Sequence, residues 1–212
     1  MRARAGRLGG VFGEYPAMIL TAPNLLTLFR VATVPLLVCL LRYPGRLPSA
    51  LAAGLFFFAT ISDYLDGYFA RSYGSGTTLG KFLDPMADKI LVSAALIMLS
   101  AVARWPRVPA WMVVVLVARE IFVMGLRAVA AIEGKVIAAE ELGKYKTVLQ
   151  LIAIHGLIIH YVYFYVDFFA VGIFILWISL ALSLWSAVDY YLRAYEAFRA
   201  AGSSATARRA AV

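Results

Sequence analysis

Six apolar stretches, at about 24–42, 49–71, 83–103, 109–131, 147–165 and 169–192, take up most of this 212-residue chain. Each is close to the roughly 20 residues that a helix needs to cross the hydrocarbon of a bilayer. In lipid every backbone N–H and C=O must find a partner inside the protein, and a helix satisfies that demand within one segment. The pattern predicts an all-α integral membrane protein of six transmembrane helices in one membrane domain. Composition points the same way: 63% of the residues are hydrophobic and 15% charged, against about 45–50% and about 25% in soluble domains. So many apolar side chains exceed what one small core can hide, and disorder, collagen and coiled coil need other compositions.

The connections are short. Pro44 and Pro48 bracket the first, Gly74 to Gly80 the second, and Pro106 and Pro109 the third. The fourth, about 132–146, is polar, and the fifth is a turn around Asp167 among aromatic residues suited to a membrane interface. Residues 1–23 form a basic segment whose apolar part is broken by Glu14, Pro16 and Pro23. A cleaved signal peptide is not expected there; a short N-terminal interfacial helix is. The membrane domain is set at 24–195, and 196–212 is read as a mobile cytoplasmic tail. Cys39 has no second cysteine with which to pair.

Net charge is +8. No basic run or aromatic platform supports nucleic acid as the partner; basic side chains facing anionic membrane lipids do. With both termini cytoplasmic, that side carries Arg2, Arg4, Arg7, Arg71, Lys81, Lys135, Lys144, Lys146, Arg193, Arg199, Arg208 and Arg209. The opposite side carries only Arg42, Arg46, Arg104 and Arg107. The positive-inside rule selects this orientation, a multi-pass protein of the inner (cytoplasmic) membrane with its second and fourth connections in the cytoplasm.

Ionisable residues within or beside apolar spans cost about 2.5–3.5 kcal/mol or more at mid-bilayer and therefore call for a function. Asp63, Asp66, Asp84 and Asp88 fall within 26 residues, at the same-side ends of the second and third spans. Asp63 and Asp66 stand three apart and Asp84 and Asp88 four apart, so each pair shares a helix face. Carboxylates that converge in a low dielectric repel unless cations neutralise them, and all-oxygen sites select hard ions such as Mg²⁺ or Mn²⁺. Gly67 leaves room for close approach of a ligand. The bland alternative is a set of helix caps and interfacial charges, most plausible for Asp84 ahead of Pro85 as an N-cap.

The run Asp63-x₂-Asp66-Gly67-x₂-Ala70-Arg71-x₈-Gly80-x₃-Asp84-x₃-Asp88 resembles the full signature of the CDP-alcohol phosphotransferases. Asn24 to Arg30, Ala118-Arg119-Glu120, Gly125-Leu126-Arg127, Gly143 to Thr147 and the closing Leu184 to Tyr191 are similar to its phosphatidylglycerophosphate-forming branch. The resemblance covers roughly residues 22–195. It implies a dimeric enzyme of six spans that transfers a phosphatidyl group from CDP-diacylglycerol to glycerol 3-phosphate and releases CMP. It further implies two divalent metal ions, Mg²⁺ or Mn²⁺, held by Asp63, Asp66, Asp84 and Asp88, with Asp88 also the general base. Gly67, Arg71 and Thr77 match positions that contact the CDP moiety, and Asn24, Thr27 and Arg30 face the same pocket. An alternative for Arg30 is a side chain snorkelling to the interface.

The acceptor pocket is read from Arg119, Arg127, Lys144 and Lys146, with Glu120 a partner for either arginine. For the two lysines, positive-inside anchoring is the alternative. His155 and His160 point to different faces of the fifth span and are not a metal pair. Within the family, a cardiolipin synthase or a phosphatidylinositol-phosphate synthase would share the aspartates and differ in this pocket. Outside it, an ion carrier would use the carboxylates as a transport site, and a purely structural protein leaves them unexplained.

Overall fold

The computed structural model describes the backbone of residues 22–73, 78–133 and 142–210. The expected interfacial segment and Thr77 lie outside the described residues, as do the side chains of 22–28, 63–73, 78–85, 142, 144 and 200–210. The described residues form six helices: α1 (Ala22–Arg42), α2 (Arg46–Tyr73), α3 (Thr78–Ala101), α4 (Ala110–Ile132), α5 (Leu142–Ile159) and α6 (Phe168–Ala210). Between α5 and α6 stands a two-stranded antiparallel hairpin, β1 (Val162–Tyr163) and β2 (Val166–Asp167). The protein is thus mostly helical. Among the described residues one stretch, Phe168–Arg199, meets a strict length and apolarity test for a membrane-crossing helix, with a mean hydropathy of 2.3.

Helices form where apolar residues run on without a turn signal; Pro35 is accommodated inside α1, whereas Pro44, Pro106 and Pro109 fall in connections. The first connection is only 43–45, because Pro48 sits in the first turn of α2, where its missing N–H costs nothing. Asp84 lies well inside α3, which begins at Thr78, so the N-cap reading for it is set aside. The fifth span departs most from expectation. It begins at Leu142 and ends at Ile159, and 160–167 form the hairpin, with His160, Phe164 and Tyr165 at φ of 66°, 50° and 63°. The helix α6 continues through the expected tail as far as Ala210.

α1 packs on α2 and α3, α5 on α2, α3 and α6, and α4 on α3 and α6. The main apolar core is drawn from one half of every helix: Leu37 and Leu41, Phe56, Leu91 and Leu96, Met112 and Leu116, Leu157 and Ile158, Leu176 and Leu180. These are the late residues of α1, α3 and α5 and the early residues of α2, α4 and α6, so one end of an up-and-down bundle holds the core. Phe56 belongs to it, whereas Phe58, Ile97, Val114, Phe174 and Trp185 face outward. An apolar exterior of this extent suits lipid better than water.

The same end is clasped by polar contacts. The buried Arg104 donates to Ser49 Oγ at 2.7 Å and toward the carbonyls of Leu157 and Ile158 at 3.4 and 3.5 Å, the orphan acceptors at the end of α5. Arg46 lies over the rings of Tyr161 and Tyr163.

Candidate active site

Every candidate residue within the described backbone lies toward the other end of the bundle. Asn24, Thr27 and Arg30 are in the early turns of α1; Asp63, Asp66, Gly67 and Arg71 in the late turns of α2; Asp84 and Asp88 in the early turns of α3. Arg119 stands near the middle of α4 and Arg127 in its later part, and Lys144 and Lys146 lie in the first turns of α5. Of these, Arg30, Asp88, Arg119, Arg127 and Lys146 have described side chains. Arg30 is 1% exposed, so it does not snorkel to an interface.

The charges gather around one carboxylate. Glu120 Oε2 accepts from Lys89 Nζ at 2.8 Å, and Oε1 accepts from Lys146 Nζ at 3.0 Å and from the Arg119 guanidinium. Arg119 and Lys146 are 6% and 7% exposed. Burying them has a desolvation cost that only close, well-directed partners offset. α6 fixes both from behind: Arg119 Nε donates to the Ser183 carbonyl at 2.8 Å, and the Ser179 hydroxyl donates to the Lys146 carbonyl at 3.2 Å.

Lys89 ties this cluster to the aspartates. Its ammonium is directed at Glu120 and stands 3.9 Å from Asp88 Oδ2, beyond hydrogen-bond reach. Among the described residues Asp88 has no closer cation, so its half-buried oxygens remain available to a hard metal ion. A carboxylate is a donor type that suits a divalent cation, while among the described residues no group of three potential ligands stands together. The other three carboxylates lie outside the described side chains.

The structure separates the two arginines of the expected pocket. Both face α6, as a spacing of eight requires, but Arg127 is exposed and lies over the Tyr190 ring, 5.4 Å from its centroid. Eight residues amount to about 12 Å of helix rise. Glu120 partners Arg119, and Lys89 joins the cluster without having been expected in it. The signal for Lys89 was its place beside Asp88 at the start of an apolar run; for Ser183 and Tyr190 it was polar groups seven apart on α6. His155 Nδ1 lies 2.9 Å from the Leu151 carbonyl, and its ring packs on Phe56 and Phe57.

The family model for CDP-alcohol phosphatidyltransferase matches residues 20–185, which includes every described helix except the end of α6. The chain belongs to this family. It is similar to the CDP-diacylglycerol–glycerol-3-phosphate 3-phosphatidyltransferase of Bacillus subtilis, with 41% identity over 84% of this chain and 96% of that protein. A protein of the same name from Rickettsia bellii is 36% identical over 80% of this chain and 92% of its own length. The cardiolipin synthase (CMP-forming) of Oryza sativa subsp. japonica is 34% identical over 82% of this chain and 57% of that protein. As a member of the family the protein is a transferase of phospholipid synthesis, associated with membranes.

Proposed function

We propose that the protein transfers a phosphatidyl group from CDP-diacylglycerol to glycerol 3-phosphate, giving phosphatidylglycerophosphate and CMP. The observation that carries this reading is Lys89, which stands between Asp88 and a cluster of Arg119, Lys146 and Glu120. A carboxylate suited to a metal and to a proton thus adjoins cations suited to a phosphate. In this scheme Arg119, Lys146 and Lys89 hold the acceptor's phosphate, with Lys144 on the same helix end and Arg127 at the rim. Asp88 accepts the proton of the acceptor hydroxyl as its oxygen bonds to the phosphorus that carries diacylglycerol. The bond from that phosphorus to CMP breaks, and CMP leaves with the electron pair.

Asn24, Thr27, Arg30, Gly67, Arg71 and Thr77 are assigned to the CDP moiety. The planar fork of arginine suits phosphate oxygens. Asp63, Asp66, Asp84 and Asp88 would hold two divalent cations, Mg²⁺ or Mn²⁺, whose chemistry is to neutralise the pyrophosphate and the departing phosphate. The six helices are assigned as six membrane spans with both termini and the site on the cytoplasmic side of the inner membrane. Two chains are taken to form a homodimer.

The test is CMP release by purified full-length protein with CDP-diacylglycerol and, separately, glycerol 3-phosphate, phosphatidylglycerol or inositol phosphate. Release with glycerol 3-phosphate, lost on chelation of divalent ions, is expected. Release only with phosphatidylglycerol would favour the second reading, a cardiolipin synthase, which the similarity to the rice enzyme keeps in view. Asp88→Asn is expected to abolish turnover while CDP-diacylglycerol still binds; unchanged turnover would remove Asp88 from the role of base.

A further inference from the structure

The cluster around Glu120 does not balance. Lys89, Arg119 and Lys146 contribute three positive charges from three helices, and Glu120 returns one negative charge. Asp88 stands 3.9 Å from Lys89, outside hydrogen-bond distance, so among the hydrogen-bonded, described side chains of the cluster two positive charges are left over, which equals the charge of a phosphate monoester dianion. The geometry matches as well as the charge. The two oxygens of Glu120 take lysine ammonium donors at 2.8 and 3.0 Å, the range of charge-assisted bonds that phosphate oxygens also accept. The Glu120 side chain is 13% exposed, so it is not wholly sealed within the protein. The cations are held from outside the cluster, by the Ser183 carbonyl on Arg119 and by the Ser179 contact to the Lys146 backbone. Arg119 and the Lys146 backbone therefore do not depend on Glu120 alone for their position.

We propose that Glu120 is an internal stand-in for the acceptor's phosphate, occupying the Lys89, Arg119 and Lys146 donors until a phosphate dianion takes them over. This rests on the proposed reading of the site and deepens it by naming what sets acceptor specificity. A carboxylate held by three cations is displaced only by a ligand with more charge to offer, so a neutral polyol such as glycerol does not open the site. The dianion does, and it frees Lys89 next to Asp88, bringing the acceptor's hydroxyl end toward the base. Glu120 is a positioning residue here: it touches neither the reacting phosphorus nor the attacking oxygen.

The experiment compares the wild-type protein, Glu120→Gln and Glu120→Asp, each full-length in detergent micelles. Thermal stability is measured against inorganic phosphate, with chloride at matched ionic strength as the control. With the stand-in charge removed, E120Q is expected to bind phosphate at least fivefold more tightly than wild type and to regain with phosphate most of the Tm it lost. E120D, which keeps the charge, is expected to stay within twofold of wild type. If E120Q can be purified only in phosphate, that selective rescue supports the proposal. Failure to recover it in either anion overturns the proposal, as does a phosphate affinity equal to or weaker than wild type. Stabilisation by phosphatidylglycerol, a phosphodiester with one charge, in preference to phosphate also overturns it. Turnover is not needed for these readouts. Wild-type protein that releases no CMP with glycerol 3-phosphate counts against the proposed reaction, whereas equal phosphate affinity of E120Q counts against Glu120 alone.

Discussion

At the scale of single residues, the site is organised by which cation finds which acceptor. Arg119 and Arg127 are the same residue type on the same helix face, eight apart, and their surroundings assign them different work. Arg119 is buried, bound to Ser183 and Glu120, and sits beside Lys146 and Lys89. Arg127 is exposed and rests on Tyr190. Arg119→Ala is therefore expected to raise the KM for glycerol 3-phosphate about thirtyfold, equivalent to about 2 kcal/mol for truncating one member of a buried charge pair. Arg127→Ala is expected to raise it by a small factor, and both are expected to leave the KM for CDP-diacylglycerol nearly unchanged. Steady-state kinetics with each substrate varied in turn decide this; equal effects of the two variants would argue against the assignment. Both arginines could be read from the sequence as acceptor candidates, because a charge in an apolar span needs a reason. Their different partners could not, because spacing gives a face and a rise along the helix but not what stands opposite.

At the scale of elements, α5 and α6 form the tightest helix pair. A Cβ on Gly172 would meet Leu157 N at 2.9 Å and the Ala153 carbonyl at 3.0 Å, and one on Gly156 would meet the Phe168 carbonyl at 3.0 Å. Small residues let helices approach closely where lipid offers no hydrophobic drive for association. Gly172→Ala is expected to destabilise the protein by about 1–3 kcal/mol, as overpacking does, seen as a lower Tm in detergent. An unchanged Tm would mean that α5 and α6 have room to separate. The link between these helices is where the sequence misled. Aromatic residues at 161–165 carry the apolar pattern onward, yet the chain leaves the helix at His160. The Phe164-Tyr165 turn places two non-glycine residues at positive φ, a geometry usually marked by Asn-Gly. Hydropathy is blind to such a backbone choice. Asp167, by contrast, was legible as the turn: its Oδ1 accepts from the N–H groups of Phe169 and Ala170 at 3.0 Å and caps α6.

At the scale of the whole molecule, the two ends of the bundle are chemically opposite. One holds the apolar core and the Arg104 clasp; the other holds the charged site. The clasped end includes a titratable group outside the helices, His160. Burial and the nearby Arg104 charge lower its pKa from the ordinary 6.5, against smaller raising contributions from the Trp105 backbone and Asp167. Burial likewise lowers the pKa of Arg104, though an arginine remains charged at any ordinary pH. A histidine whose folded pKa is depressed favours the folded state in its neutral form. That contribution is complete above the unfolded pKa of 6.5 and is lost as pH falls through the lower folded value. The wild-type Tm is therefore expected to drop more between pH 7.5 and 5.5 than that of His160→Asn, whose side chain does not titrate and tolerates positive φ. Parallel declines in the two proteins would exclude His160 as the source.

The amino-acid sequence by itself determined the helical class, the approximate bounds of four of the six helices, and the placing of the candidate charges toward one end. Each of these follows from local quantities, namely run length, proline placement and the i, i+3/i+4 rule. Tertiary structure alone decided that Glu120 takes Arg119, Lys146 and Lys89 together, that Arg127 stands apart on Tyr190, and that a hairpin closes α5 onto α6. These depend on which helices are neighbours and at what height their side chains meet, and a one-dimensional pattern of residues does not contain that information.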